Sequence, residues 1–205
     1  MKYTGLSISH YNRVIDYPLL AKNRPDFIIA KASEGANYKD AYFVSNYLGC
    51  KEYDIPFGGY HFWRSEPGLL QASNFISMAN QAKMFCYWLD YEIKSKAPKT
   101  EITHMTDFIR KVYEHIGMVP FFYTNRNFAG NLKTAGIEVF ITLPLVVAEY
   151  NWLLPRLVYP WISYRMYQAS DNQKIPGLPS SAEIVYSDYS PVELHAIACD
   201  FSRMV

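Results

Sequence analysis

Cysteine is scarce in this chain: Cys50, Cys86 and Cys199 are the only three in 205 residues. An odd count without metal-ligand spacing implies neither a disulfide framework nor a zinc site. Cys86 sits inside an apolar stretch and reads as packed core. An excess of one charge is also missing, with 20 Lys and Arg against 19 Asp and Glu. Such a balance has no nucleic-acid footprint. No apolar run approaches the roughly 18 residues that a membrane span requires, and the opening M-K-Y-T-G-L-S-I-S-H lacks the long apolar core of a signal peptide. Repeats, low-complexity stretches and linkers are absent as well. These gaps point to a soluble monomer, residues 1–205 forming a single domain, with no cofactor and no metal ion. If it acts outside a cell, another route must carry it there.

What the chain has in quantity is aromatic residues: 18 Tyr, 12 Phe and 4 Trp, within a composition that is 50% hydrophobic. That load excludes a disordered chain and suggests a surface that stacks on flat ligands such as sugar rings or bases. Apolar runs bounded by polar sequence predict strands at 3–9, 26–31, 56–62, 84–92, 119–124, 143–150, 164–170 and 184–188. Helices are expected at 15–23, 40–53, 69–82 and 101–116, the last with Thr100 as N-cap, and 125–134 is a further helical candidate. Strand and helix alternate through the first two-thirds, the βαβ rhythm of a parallel sheet or barrel. The last third turns to strands with little helix between them.

The strand Met84–Glu92, M-F-C-Y-W-L-D-Y-E, ends in two acids spaced by one. Asp90 and Glu92 therefore share a face, with Cα atoms roughly 6.5–7 Å apart. They form either a structural pair bridged to Lys94 or Lys96, or a site in which each carboxylate raises the pKa of the other. The other strands also end in polar groups: Ser7 with His10 beyond it, Lys31 and Glu34, His61, Tyr123, Tyr150, Gln168 and Asp188. Singly each is ordinary, since Lys31 can pair with Glu34 and His61 can be a packed core histidine. Together they would converge on the C-terminal rim of a parallel barrel, where such folds build active sites. Carboxylates for acid–base work, aromatics for stacking and the lack of a phosphate loop point to glycoside hydrolysis.

The ordered set S-H-Y-N-x-x-I-D-Y (9–17), D-F-I-I-A-K-A-S-E-G-x-x-Y-x-D (26–40), G-G-Y-H-F (58–62), L-D-Y-E (89–92), F-Y-T (122–124), A-E-Y (148–150), Y-Q-A-S (167–170) and Asp188 resembles glycoside hydrolase family 25. These are the lysozymes (N-acetylmuramidases) of the phage-endolysin and Chalaropsis type. The resemblance runs from Gly5 to about Tyr189. It implies an α/β fold, an irregular TIM-like β/α barrel with a helix-poor C-terminal third. The implied activity is cleavage of the β-1,4 bond between N-acetylmuramic acid and N-acetylglucosamine in bacterial peptidoglycan. By the same resemblance Glu92 is the general acid/base and Asp90 the partner that orients the 2-acetamido group in a retaining, substrate-assisted route. Asp188 matches the late supporting aspartate, while Lys31, Glu34, His61, Tyr123, Tyr150 and Gln168 line the groove. Action on the cell wall follows, as a phage lysin released from the cytoplasm or as part of a phage particle. One position departs. Ser7 stands where the family's first strand carries aspartate, which lowers the expected pKa of Glu92 relative to a four-acid site and leaves open an alternative: a weakened or inactive peptidoglycan-binding module.

Overall fold

In a computed structural model of the chain, residues 2–150, 155–200 and 202 are described. Its strands are β1 (Tyr3–Ile8), β2 (Phe27–Glu34), β3 (Tyr38–Lys39), β4 (Phe57–Phe62), β5 (Tyr87–Asp90), β6 (Phe121–Thr124), β7 (Leu145–Ala148), β8 (Met166–Gln173) and β9 (Ala182–Ser187). The sheet order is β1-β9-β8-β7-β6-β5-β4-β2-β3, and β1 also pairs with β2. Eight strands thus close into a barrel, with β3 as a short flap hairpinned on β2. From β1 through β2, β4, β5, β6, β7 to β8 every neighbouring pair is parallel. β9 alone runs the other way, antiparallel to both β8 and β1. The barrel of the resemblance is therefore present, with one reversed strand.

The helices are α1 (Tyr17–Leu20), α2 (Phe43–Glu52), α3 (Gly68–Ala79), α4 (Pro98–Ile116), α5 (Arg126–Leu132) and α6 (Pro191–Ala198). α4 shows how the outer layer is held. Its buried residues, Glu101, Met105, Phe108, Ile109 and Val112, recur at helical spacing and form one inward stripe. The helix starts earlier than expected, at Pro98, because proline is well suited to the first turn. Thr100 lies inside it and the residue at the cap, Ala97, has no capping side chain. Gly117 ends the helix in the left-handed conformation (φ 70°). Buried Glu101 is satisfied by Trp63 Nε1 (2.6 Å) and Ser95 Oγ (2.9 Å), as a buried carboxylate must be.

Where α3 begins it meets α4 so closely that a Cβ on Gly68 would lie 1.8 Å from the His104 carbonyl oxygen. That oxygen is helix backbone and cannot step aside. Gly68→Ala is expected to destabilise the fold by about 1–3 kcal/mol, the usual cost of overpacking, seen as a lower urea midpoint at unchanged slope.

α6 was not expected. Its signal is present in Ser190-Pro191-Val192-Glu193, a capping box with proline in the first turn. No helix lies among the described residues between β7 and β8, or between β8 and β9, so the last third before α6 is poor in helix as read.

Candidate active site

Side chains alternate along each strand, so one residue in two faces the barrel axis. On β4, β5 and β6 the inward set includes Tyr60, Trp88 and Tyr123, whose rings lie nearly parallel. Tyr60 and Trp88 are 6.5 Å apart at 28°, and Trp88 and Tyr123 are 5.4 Å apart at 10°. These stacked rings form an aromatic floor. At the C-terminal rim, a cavity of about 180 Å³ is lined by those three rings with Ser7, Ser9, Tyr11, Lys31, Phe62, Asp90, Glu92, Gln168 and Glu183. Six of the expected residues meet there: Ser7, Lys31, Asp90, Glu92, Tyr123 and Gln168.

The electrostatics follow from that floor. Asp90 is buried, 7% exposed, and its Oδ1 has no hydrogen-bond partner among the described residues. Burial first, then the charges of Glu92 and Glu183, pushes its carboxyl well above the ordinary range, with Lys31 opposing. Glu92 is pushed up to about 7, by burial first and then by Glu183. Glu92 is thus raised although Ser7 adds no charge, the lowering expected of Ser7 being relative to a site with one more acid. Part of the rise comes from β9, where Glu183 pairs in register with Ser7.

The same reversal displaces Asp188. Because β9 runs antiparallel, its first residues reach the rim and its last do not. Ser187 pairs with Tyr3, at the start of β1, so Asp188, one residue further on, belongs to the opposite end of the barrel. The position expected of Asp188 is occupied by Glu183.

His61 is also corrected. It lies between Tyr60 and Phe62, which line the cavity, and so it faces outward into the helical layer. There it is fully buried and stacked on Phe108 at 4.8 Å. Gln71 donates its amide to the carbonyls of Arg64 and Glu66, which turns its Oε1 toward the ring. His61 Nε2–H then donates to that oxygen (3.1 Å), and Nδ1 accepts from Ser33 Oγ (2.8 Å). Burial pushes its pKa down to about 4, so it is neutral. His61→Ala is expected to cost about 2–4 kcal/mol, from the cavity and two orphaned polar groups. Urea unfolding checks this, and activity per folded molecule should be unchanged.

The remaining expected residues stand at the edge. Glu34 does not line the cavity. It pairs with Lys31 and with Arg64, and these partners outweigh its burial and hold its carboxyl below the ordinary range. Lys31, held this way, lies 4.8 Å above the Phe62 ring. Tyr150 is half exposed, and its hydroxyl accepts from Gln168 Nε2 at 3.3 Å. Tyr11, 76% exposed, stacks near His10 (4.0 Å) as an aromatic lip.

The family model of glycosyl hydrolases family 25 matches residues 6–178. The chain belongs to that family. The autolytic lysozyme of Clostridium acetobutylicum is 24% identical over 184 residues, 88% of this chain. The alignment takes in 54% of that relative, so the chain spans about half its length. The N,O-diacetylmuramidase of Arthroderma benhamiae is 26% identical over 189 residues, covering 84% of this chain and 79% of the relative. The solved structure of a bacterial lysozyme from Streptomyces coelicolor matches with a TM-score of 0.84 over 98% of each chain, at 21% identity. That likeness is one of fold. The barrel is thus a family-25 glycoside hydrolase domain, and five of its six expected cavity residues lie in the motifs of the resemblance, Ser7 being the departure.

A larger cavity, about 450 Å³, lies at the other end of this family-25 barrel, around Phe57 before the body of β4 and Met84 and Phe85 ahead of β5. It holds one carboxylate, Asp54, among apolar and basic residues. Acid–base chemistry on a sugar needs more than that, so the smaller cavity is the candidate site.

Proposed function

We propose that this domain, residues 1–205, acts as a monomeric lysozyme that cleaves the β-1,4 bond between N-acetylmuramic acid and N-acetylglucosamine in bacterial peptidoglycan. The observation that carries the reading is the pairing of Glu92, its carboxyl near 7, with the buried, under-bonded Asp90 in one polar cavity over an aromatic floor. The names of the relatives, an autolytic lysozyme and an N,O-diacetylmuramidase, support the substrate.

In this mechanism protonated Glu92 gives its proton to the glycosidic oxygen as the bond to the anomeric carbon breaks. The substrate's own 2-acetamido carbonyl oxygen attacks that carbon, closing a ring on the sugar. Asp90 accepts the acetamido N–H, which gives Oδ1 the donor it lacks, favours its ionised form against the burial that raises its pKa and strengthens the carbonyl as nucleophile. Glu92, now a carboxylate, takes a proton from water as the water opens the ring. Two displacements at one carbon retain its configuration. Trp88 and Tyr123, stacked on each other, give the sugar an apolar wall, and Glu183 on the same cavity stabilises developing positive charge.

Purified cell walls incubated with the protein from about pH 4 to about pH 8 should release reducing ends. Mass spectrometry should then find muramic acid at the new reducing terminus. Release of N-acetylglucosamine termini instead would assign a different bond, and no release at any pH would leave a glycan-binding module. Glu183 weighs against that last outcome, since with it the cavity keeps a third carboxylate beside Asp90 and Glu92 although Asp188 lies at the other end of the barrel.

A further inference from the structure

The rim carries a second polar hollow, about 180 Å³, lined by Asn125, Arg126, Asn127, Ala148, Glu149 and Arg156. Its walls are the chain just past β6 and the end of β7. Asn125 stands two residues beyond Tyr123, which lines the acid cavity. Two residues of strand are roughly 6.6 Å, so the hollows are neighbours on one rim.

The hydrogen-bonding groups of this hollow are unequally used. Its one carboxylate, Glu149, is already engaged: Oε1 accepts from Arg156 Nε (2.6 Å) and Oε2 from the Arg156 backbone N–H (2.7 Å). Asn125 Oδ1 accepts from the N–H groups of Asn127 (2.9 Å) and Phe128 (3.1 Å). That fixes the amide orientation and leaves the Asn125 NH₂ as a donor. Arg126 is exposed and has no hydrogen bond or ion pair among the described residues. Arg156, although paired, keeps 69% of its side chain exposed. Two guanidinium groups and one carboxylate line the hollow, and the guanidinium and Asn125 amide N–H groups outnumber its acceptors. A concave site with surplus donors and net positive charge suits a carboxylate, which arginine binds with two parallel hydrogen bonds.

We propose that the Arg126–Arg156 hollow binds a carboxylate on the muramic-acid side of the substrate and so decides which sugar is presented to Glu92. This rests on the lysozyme reading above. The carboxylate has two sources: the lactyl group of muramic acid itself, or the stem peptide attached to it. Binding here is made equally in the ground state and the transition state, so it acts on KM and not on kcat.

The test compares the whole domain with Arg126→Gln and Arg126→Lys on three soluble glycans: stem-bearing, peptide-free with a free lactyl carboxylate, and peptide-free with that carboxylate amidated. Arg126→Gln should raise KM roughly tenfold, the worth of a charge-assisted hydrogen bond, on carboxylate-bearing glycan, with kcat nearly constant. Arg126→Lys should recover part of the loss, and the amidated glycan should not distinguish the variants. Loss on both acidic glycans identifies the lactyl group, and loss on the stem-bearing one alone identifies the peptide. An unchanged KM on both acidic glycans, or an equal loss on the amidated one, overturns the proposal while leaving lysozyme activity standing. Absence of cleavage by the wild type on all three overturns the lysozyme reading instead.

Discussion

Glu92→Gln should lower kcat by about a thousandfold or more while leaving glycan binding nearly intact. Glutamine keeps the size of the side chain and its place on the rim but has no proton to give at neutral pH. General acid–base catalysis contributes about 10²–10⁴-fold, and here one residue serves both half-reactions, as acid and then as base. The same variant should be more stable than the wild type at alkaline pH. Glu92 has its carboxyl raised from 4.5 to about 7 in the fold. A raised pKa means that the folded protein holds this proton more tightly than the unfolded chain. The resulting stability is complete below about pH 4.5 and is lost as pH climbs through 7. Glutamine never ionises, so it avoids that loss. At about 1.4 kcal/mol per unit the gain above pH 7 is at most roughly 3.5 kcal/mol, reduced by the solvent that reaches a partly exposed group. Urea unfolding at pH 5 and pH 8, alongside reducing-end release, tests both halves. A variant that is dead because it is misfolded would lose stability at both pH values. Wild-type activity should fall on the alkaline side near pH 7, where the acid form disappears.

The parts of this site that were legible in the sequence are those fixed by local alternation. Asp90 ends an apolar strand, and Glu92, two residues on, opens on the same cavity. Ser7, Lys31, Tyr123 and Gln168 each sit on a strand with at least one parallel neighbour, where the rim can be read from chain direction. His61 was misplaced although the same rule applies to it. In G-Y-H-F, Tyr60 and Phe62 point opposite to His61, and which set faces the barrel depends on the register with β5, where Phe62 pairs with Asp90. Trp88 could have been found, two residues before Asp90 and therefore on its face. Glu183 could not. Its place depends on β9 running antiparallel to β1, a long-range pairing that no local pattern encodes. Read as another parallel strand, β9 offers its last polar residue, Asp188, and the wrong end of the barrel. α6 was overlooked for a simpler reason: eight residues of mixed character after a strand leave the capping box as the main signal.

Asp90→Asn should reduce kcat by about a hundredfold on acetylated glycan, with KM changed only a few-fold. Asp90 sits under the rim beside the aromatic floor, and its Oδ1 lacks a donor among the described residues. In low-dielectric surroundings an acceptor left unpaired is costly, and the acetamido N–H of a bound sugar is the donor that would satisfy it. Accepting that hydrogen bond as a carboxylate pushes electron density toward the acetamido oxygen as it attacks. Asparagine offers a neutral oxygen in the same place, so the bond survives but the push does not. The decisive comparison uses glycan stripped of its N-acetyl groups. There the internal nucleophile is gone, wild-type turnover should already be slow, and Asp90→Asn should cost little more. Removing two members of one catalytic unit is strongly non-additive. If Asp90→Asn instead costs the same hundredfold on both glycans, Asp90 does not act through the acetamido group. Its contribution would then be to the hydrogen bonding and shape of the cavity, whatever group the sugar carries at that position.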